Sequence, residues 1–554
     1  VYMLRCSSVC VSLAFGTAEP YSLEVVVLNN HWGPDSDDKQ RLLSYLGEFA
    51  SGCDRDFVTP LIHECEYSDC DKARARIADE LDDECRLNQV YDRLRSVELL
   101  RRQKLGTFSR RMPYHLDPPG GISLEKSVQQ FFTPHRFRVS VHSVAYADRF
   151  VRDLYTGEKL RPSSLTEAAT SFIGRTGLGY PKFASQRSFL ANYFAESQCL
   201  VDAGFPLPLA DQYPAVLGTR GQAAGPYKLA KTRAIMQYSR VIGNIEKMYQ
   251  IPIFKALVGK PTFAAWRSQH AVDKEVTRLL SVGVPLLSID FSAFDQSISP
   301  ELVERVFSTL AHWYIPGALP GLRFLEASFS GSGVLTPGRY YPGSDRLGGV
   351  PSGSVLTNLV DSLANVWAVA YAAHAIGGRV VDCLLQGDDG VYQFIGVDSA
   401  ESLASVLSSD LGMTMSVEKS HYGPDEVHFL QMLHHQGYCR DGLYVGVRPL
   451  MRILNGMLGL ERGNKRLPGV YHSIRWLQQL EAGSAHPMFG PACYWLYRRD
   501  KCLSAALKII LSDSSDVIRE AEGVISGGLG LYGKTPLRLM QWSRVVAVMQ
   551  RFLA

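Results

Sequence analysis

Two carboxylates stand shoulder to shoulder at Asp388 and Asp389, in the stretch LLQGDDGVYQF (384–394), with glycines on both sides and apolar runs beyond. Adjacent like charges repel, so the pairing needs a reason. Asp-Gly between strand-like runs is a strong hairpin signal, and a turn would leave both groups in water. The alternative is a divalent-metal site, in which cations convert the repulsion into affinity. A third carboxylate, Asp290, ends the short apolar run VPLLSID (284–290), which reads as a buried strand. A sheet could set that strand end beside the hairpin tip. Three converging carboxylates can hold two metals about 3.5–4 Å apart, one activating an attacking hydroxyl and one stabilising a leaving oxygen. Hard oxygen ligands suit Mg²⁺, and no histidine or cysteine adjoins these positions to favour a softer ion.

The elements needed to position such a trio are legible around it. After VPLLSID, FSAFDQSISPELVERVFSTL (291–310) starts a helix, and the loop GRYYPGSDRLGGVPSGS (338–354) leads into a second helix, LTNLVDSLANVWAVAYAAHA (356–375). VVDCLL (380–385) and VYQFI (391–395) form a hairpin around the turn, and ESLASVLSSDL (401–411) forms another helix. Strand, helix, hairpin and helix in this order give an α+β sheet with helices on one face. Upstream, a long helical pattern spans IMQYSRVIGNIEKMYQ (235–250). The chain is mostly helical from about residue 436, with Leu503, Leu507, Ile510 and Leu511 at core-facing spacing.

The chain as a whole sets few exclusions. Its 554 residues and 61.4 kDa allow several domains or one multi-lobed enzyme, and 46% hydrophobic with 20% charged residues describes an ordinary globular protein. A net charge of +3 does not mark a nucleic-acid binder, but the acidic run DELDDE (79–84) is followed by Arg93, Arg95, Arg101, Arg102, Lys104, Arg110 and Arg111. That cluster is either a solvated helix face or a phosphate track. Eleven cysteines show no C-x-x-C spacing. Cys53, His63, Cys65, Cys70 and Cys85 raise zinc, but the spacing fits no ribbon or finger, so free thiols are expected. No apolar run reaches membrane length; VWAVAYAAHAI (366–376) is too short and carries His374. The opening VYMLRCSSVCVSLAFG faintly resembles a signal peptide, but its serines and cysteines dilute the apolar patch, and it reads as ordinary structure.

In this order the motifs resemble those of the viral RNA-dependent RNA polymerases, right-hand folds with fingers, palm and thumb. DFSAFD (290–295) resembles their motif A, GGVPSGSVLTNLVDSLAN (348–365) motif B, QGDDG (386–390) motif C and LGMTMSVEKS (411–420) motif D. RTGLGYPK (175–182) resembles the template-channel motif G, YKLAKTRAI (227–235) the basic motif F, and VHFLQML (427–433) the motif E hairpin. The resemblance covers roughly residues 170 to 455. GGVPSGS and DFSAFD are similar to the picobirnavirus and partitivirus enzymes, while TGLGYP and LGMTMSVEKS lean towards picornavirus-like ones; a stand-alone polymerase of this length favours the former group.

The resemblance implies an α+β right-hand fold with an antiparallel palm sheet packed on helices, and a role for each matching residue. Asp290 and Asp388 would be the principal metal ligands, with Asp389 assisting, for two Mg²⁺ ions that Mn²⁺ can replace. Asp295 would sense the ribose 2′-hydroxyl; the plainer reading is a helix N-cap. Gly348, Gly349 and Gly353 would supply flexible backbone near the template, and Ser352 and Thr357 hydroxyls near the nucleotide. Where many relatives carry Asn one turn after the threonine, this chain has Asp361, with Asn365 a turn further on the same face; Asn365 is the preferred partner of Asp295. Arg220, Lys228, Lys231 and Arg233 would grip the triphosphate, their plainer reading being a solvated basic loop. Lys419 would protonate the leaving pyrophosphate, against the default of a surface lysine. Thr176, Gly177, Gly179 and Pro181 would meet the template, and Arg448 and Arg452 the product strand.

The expected organisation is residues 1–130 bridging fingers and thumb, 131–285 fingers with a palm-side helix near 236–280, 286–435 palm, and 436–554 a helical thumb. The implied activity is RNA-templated RNA synthesis from ribonucleoside triphosphates, serving transcription and replication of a double-stranded RNA genome. The expected setting is the virion interior or host cytoplasm, with a capsid protein as further partner and no membrane. Two other classes compete. Gly528 to Thr535, GLGLYGKT, satisfies the P-loop pattern of an NTPase or helicase, but the preceding REAEGVISG is charged and glycine-broken and Pro536 follows directly. A non-catalytic RNA-binding, capsid-associated protein would gain nothing from clustered negative charge beside RNA.

Overall fold

The computed structural model describes residues 128–554, apart from 173–177, 181–189, 208–211, 223–230, 337–338, 450–452, 454–467, 487, 529–536 and 554. The first 127 residues, with their zinc-candidate cysteines and basic cluster, therefore lie outside the described residues, as do Thr176, Gly177, Pro181, Lys228 and Arg452.

α1 (Val141–Asp153) and two further helices, Leu165–Thr170 and Leu190–Asp202, precede the antiparallel pair β1 (Ala215–Gln222) and β2 (Lys231–Gln237), and α2 (Arg240–Leu257) and α3 (Gln269–Leu280) come after it. The helical pattern expected from residue 235 thus starts later: Ile235, Met236 and Gln237 close a strand, and the helix begins behind Ser239, whose hydroxyl caps it by accepting from the Val241 N–H. Cross-strand pairing overrides the local helical periodicity there, and the capping serine marks the true start.

Strand β3 (Leu286–Ile289) is buried at every position, as a strand inside a covered sheet must be. The short helix α4 (Phe294–Ser297) and α5 (Pro300–Trp313) follow, α5 capped by Ser299 with Pro300 in its first turn. Helix α6 (Thr357–Ala375) is buried from Leu359 to Ala373. Apolar residues surround it on all sides, with alanines letting neighbours approach closely. The polar side chains Asp361, Ser362 and Asn365 stand out in that setting. Then come β4 (Arg379–Gln386), β5 (Asp389–Ile395) and α7 (Ala400–Leu411), followed by β6 (His421–Gly423) and the hairpin β7 (Glu426–Phe429) and β8 (Met432–His435).

The central sheet has the order β6-β3-β5-β4, antiparallel throughout, with α6 packed on β4 and β5. The expected α+β fold with helices packed on an antiparallel sheet is borne out. The C-terminal helices build a separate core around Trp476, Leu477, Leu496, Leu507 and Val546. Leu503, Leu507 and Ile510 face it, whereas Leu511 is the helix C-cap and 37% exposed, because the helix ends one residue before it. Among the described residues no helix is long and apolar enough to cross a membrane.

Candidate active site

Strand register brings the acidic positions together. β3 pairs with β5 through Ser288↔Val391 and Ile289↔Gly390. The ladder ends there, so Asp290 directly follows one strand's last paired residue and Asp389 directly precedes its partner's. β4 and β5 pair as far as Gln386↔Asp389, so the hairpin loop is Gly387-Asp388, two residues earlier than the Asp389-Gly390 dipeptide suggests. Gly387 has φ +62° and Asp388 does not share the positive φ. This glycine-first pattern is that of a type II′ turn, whose twist suits a hairpin. Asp388 is exposed at the tip, while Asp389 and Asp290 are half-buried.

Helix α6 holds the tip from behind. Ser362 Oγ accepts from the Gly387 N–H at 2.8 Å. The fully buried Asn365 donates through Nδ2 to the carbonyls of Gly387 (3.1 Å) and Asp388 (3.0 Å) and accepts at Oδ1 from the Tyr392 hydroxyl (2.7 Å). Neutral side chains thereby satisfy backbone groups that the tight loop leaves outside the strand ladder. On the other side, Asp290 N–H donates to Ser420 Oγ at 3.1 Å and its carbonyl accepts from Ser416 N–H at 2.8 Å. Lys419 Nζ lies 3.6 Å from Asp290 Oδ1, both side chains being nearly half exposed. A pair so open to water adds only about 0–1 kcal/mol. Stability does not explain it.

Asp295 lies in the first turn of α4, but the N-cap is Ala293 in the left-handed region (φ 54°), so the N-cap reading of Asp295 does not hold. The Asp295 carbonyl accepts from the Val350 N–H at 2.6 Å, tying motif A to the loop before α6. Asp361 is 6% exposed and its Oδ1 has no hydrogen-bond partner. Burial first, then the charges of Asp295 and Asp388, push its carboxyl well above the usual range. Asp361 is therefore the α6 group that feels both carboxylates, while the amide of Asn365, the expected partner of Asp295, is occupied by the tip.

The loop 348–356 is shaped by backbone demands. Gly348 (φ 150°) and Gly349 (φ 78°) occupy conformations that favour glycine, and buried Arg346 donates to the carbonyls of both and of Phe329. A Cβ on Gly353 would lie 1.9 Å from the Met236 carbonyl oxygen, and Ser352 Oγ accepts from the Met236 N–H at 3.3 Å. Thr357 Oγ1 is engaged with the carbonyls of Pro351 and Ser354. Register sets Arg220 opposite Arg233 and Gln222 opposite Lys231. Gly179 (φ 68°) sits against Tyr238 near the start of α2. Arg448 is half-buried and follows Val447, which bridges to Leu433 of β8. The P-loop candidate follows a helix, Ser515–Gly528, instead of the strand such a loop requires, and Leu529 to Thr535 lie outside the described residues.

Sequence reasoning missed Ser362, Tyr392 and Arg346. The signal for Ser362 was available, as a polar position in an otherwise apolar helix. Among the described residues no group of three or more His, Cys, Asp or Glu side chains stands in metal-holding geometry. The donor set on the tip and on β3 is nonetheless all carboxylate oxygen, partly open to water, which fits hard divalent cations.

An antiparallel sheet with acidic residues at one strand end and an adjoining hairpin tip, backed by one buried helix, is the arrangement expected of a right-hand polymerase palm. Residues 230–457 match the family model described as viral RNA-dependent RNA polymerase. The chain is 29% identical over 290 residues to a potential RNA-dependent RNA polymerase of a human picobirnavirus, covering 50% of this chain and 52% of that protein. It is 25% identical over 341 residues to the RNA-directed RNA polymerase of Cryptosporidium parvum virus 1, covering 56% and 62%. The chain thus matches about half to three-fifths of the length of these relatives. The crystal structure of a human picobirnavirus RNA-dependent RNA polymerase superposes with a TM-score of 0.70 at 19% identity, over 94% of this chain and 99% of that one. Its insertion-loop deletion mutant superposes with a TM-score of 0.68. The expected resemblance to viral RNA polymerases of the picobirnavirus kind is borne out, and the P-loop alternative is not favoured. Use of divalent metal is general in that family.

Proposed function

We propose that this chain is an RNA-directed RNA polymerase that copies viral RNA templates by two-metal nucleotidyl transfer, in the service of a double-stranded RNA genome. The observation that supports the reading is the β3–β5 register, whose last pair, Ile289↔Gly390, is flanked by Asp290 on one strand and by Asp389, next to the exposed Asp388, on the other. Asp290 and Asp388 are the ligands for two Mg²⁺ ions, with Asp389 assisting and Mn²⁺ able to substitute. When bound, such ions lower the pKa of the attacking 3′-hydroxyl and stabilise the leaving pyrophosphate. Lys419, beside Asp290, delivers a proton to the leaving group. Arg220, Lys228, Lys231 and Arg233 bind the triphosphate, and Asp295 with Asp361 reads the ribose. Ser352 and Thr357 offer hydroxyls to the nucleotide; Thr176, Gly177, Gly179, Pro181 and Gly353 guide the template; Arg448 and Arg452 hold the product.

In this reading residues 131–285 are fingers, 286–435 palm and 436–554 thumb, with residues 1–130 bridging fingers and thumb, and the enzyme works inside a virion or in host cytoplasm beside a capsid protein. The test is direct. Purified chain is incubated with single-stranded RNA and labelled ribonucleotides, with Mg²⁺ present or chelated. Template-length product that disappears on chelation and in Asp290→Ala or Asp388→Ala is expected. Absence of product from the wild-type chain with either Mg²⁺ or Mn²⁺, or normal extension by either variant, overturns the reading.

A further inference from the structure

The buried carboxylate of Glu246 lies outside motifs A to G. It is 1% exposed on α2, and burying an acid there costs free energy that a leucine would not. Both of its oxygens are used. Oε1 accepts from the Ser354 hydroxyl at 2.5 Å and Oε2 from the Val355 N–H at 2.9 Å. One helical turn on, Gln250 Nε2 donates to the Val355 carbonyl at 2.6 Å, and Lys247 Nζ holds the other end of that amide at 2.6 Å. One turn earlier, Gly243 faces the Val355 side chain, whose Cγ2 lies 3.7 Å from where a Cβ would stand. Successive turns of α2 therefore grip both the N–H and the C=O of Val355.

The same chain segment holds the other half of the loop. Met236, at the end of β2, donates its N–H to Ser352 Oγ, and its carbonyl lies against Gly353. Residues 352–355 are thus clamped from two sides by residues 236–250. Ser352 and Gly353 remain exposed while Ser354 is buried. Downstream, the loop runs straight into α6, which carries Asp361 and Asn365.

We infer that Glu246 is a positioning residue for the polymerase reaction, fixing the Ser352–Val355 loop through Ser354 and Val355 so that Ser352 and Gly353 are presented to the RNA and nucleotide in one geometry. This rests on the polymerase reading above. Misplacing a positioning group by about 1 Å can cost on the order of 10²-fold in rate. Glu246→Met keeps the bulk and removes both acceptors. Glu246→Gln keeps one acceptor for Val355 and offers Ser354 a donor that its hydroxyl can accept, so it restores most of the clamp. Ser354→Ala removes one contact only.

Two measurements decide the matter. Amide hydrogen exchange, which needs no activity, reports on Val355 to Thr357. Single-nucleotide incorporation by preassembled RNA complexes, normalised to the active fraction, reports kcat and KM separately. Glu246→Met is expected to speed exchange at these amides and lower kcat about tenfold or more, with nucleotide KM changed far less. Ser354→Ala follows in the same direction by less, and Glu246→Gln recovers most of kcat. Unchanged exchange in Glu246→Met overturns the clamp. Faster exchange with wild-type kcat, or a kcat loss that Gln does not recover, overturns the positioning role. A wild-type chain that makes no RNA overturns the polymerase reading and the positioning role with it, while the exchange data still decide the clamp.

Discussion

The hairpin tip at Gly387-Asp388 and the loop at Ser352–Val355 both adjoin α6, yet they are held by opposite means. Neutral groups fix the tip: strand register, the Ser362 hydroxyl and the Asn365 amide. Its carboxylates stay in or near water. An ionisable side chain buried behind the loop fixes that segment, whose exposed atoms are a hydroxyl and glycine backbone. Charge that a ligand would use is left solvated, and charge that shapes the backbone is put away. Asp361 sits between the two cases, buried like Glu246 but aimed at carboxylates like the tip.

The largest effect expected from this division is at Asp388. Substitution to Ala should lower incorporation by on the order of 10²–10³-fold or more, as loss of one transition-state-stabilising group does. An exposed tip residue contributes little to folding, so Tm should move by less than about 2 °C. Calorimetry on the same preparation checks this. A variant that is both inactive and markedly less stable would show that the tip carboxylate also holds the fold, and the contrast between the two regions would fail.

Asn365→Leu probes the tip's support. It strands the Gly387 and Asp388 carbonyls and the Tyr392 hydroxyl at once, and each buried unsatisfied group costs about 1–3 kcal/mol. A net loss of about 3 kcal/mol is expected in urea unfolding, with incorporation falling as well. Stability within about 0.5 kcal/mol of wild type would mean that strand register alone fixes the tip.

What the amino-acid pattern could and could not convey follows the same line. Strand β3, the hairpin, α6 and the acidic trio were legible because burial periodicity and turn chemistry are local, and Asp290 could be paired with the tip by topology alone. The loop sat two residues earlier than Asp389-Gly390 suggested, since the glycine preceding the acidic pair, Gly387, took the left-handed position. Asp361 and Asn365 share a helix face, so spacing could not tell which meets Asp295; only the depth of Gly387 against the helix separates them. Glu246 was invisible for a stronger reason. A glutamate in IEKMYQ looks like any solvated helix residue, and its burial depends on a loop more than one hundred residues away.

That burial gives the smallest and most specific prediction. Desolvation raises the Glu246 carboxyl to about 7 from an ordinary 4.5, opposed by its hydrogen bonds to Ser354 and Val355 and by the Lys247 charge, with the Tyr238 phenol also near enough to feel it. A carboxyl whose folded pKa is raised contributes stability that is fully present below the unfolded pKa and lost as pH climbs through the folded one. The window is therefore pH 4.5 to 7, and the loss is at most about 3 kcal/mol at 1.36 kcal/mol per unit. Glu246→Gln cannot titrate, and every other group cancels when its unfolding free energy is subtracted from that of the wild type at each pH. The difference should shift towards the variant by up to about 3 kcal/mol between pH 5 and pH 8. A flat difference would mean that Glu246 ionises as freely as a solvated carboxyl, and the contrast between a desolvated acid behind the loop and the water-exposed ones at the tip would fail.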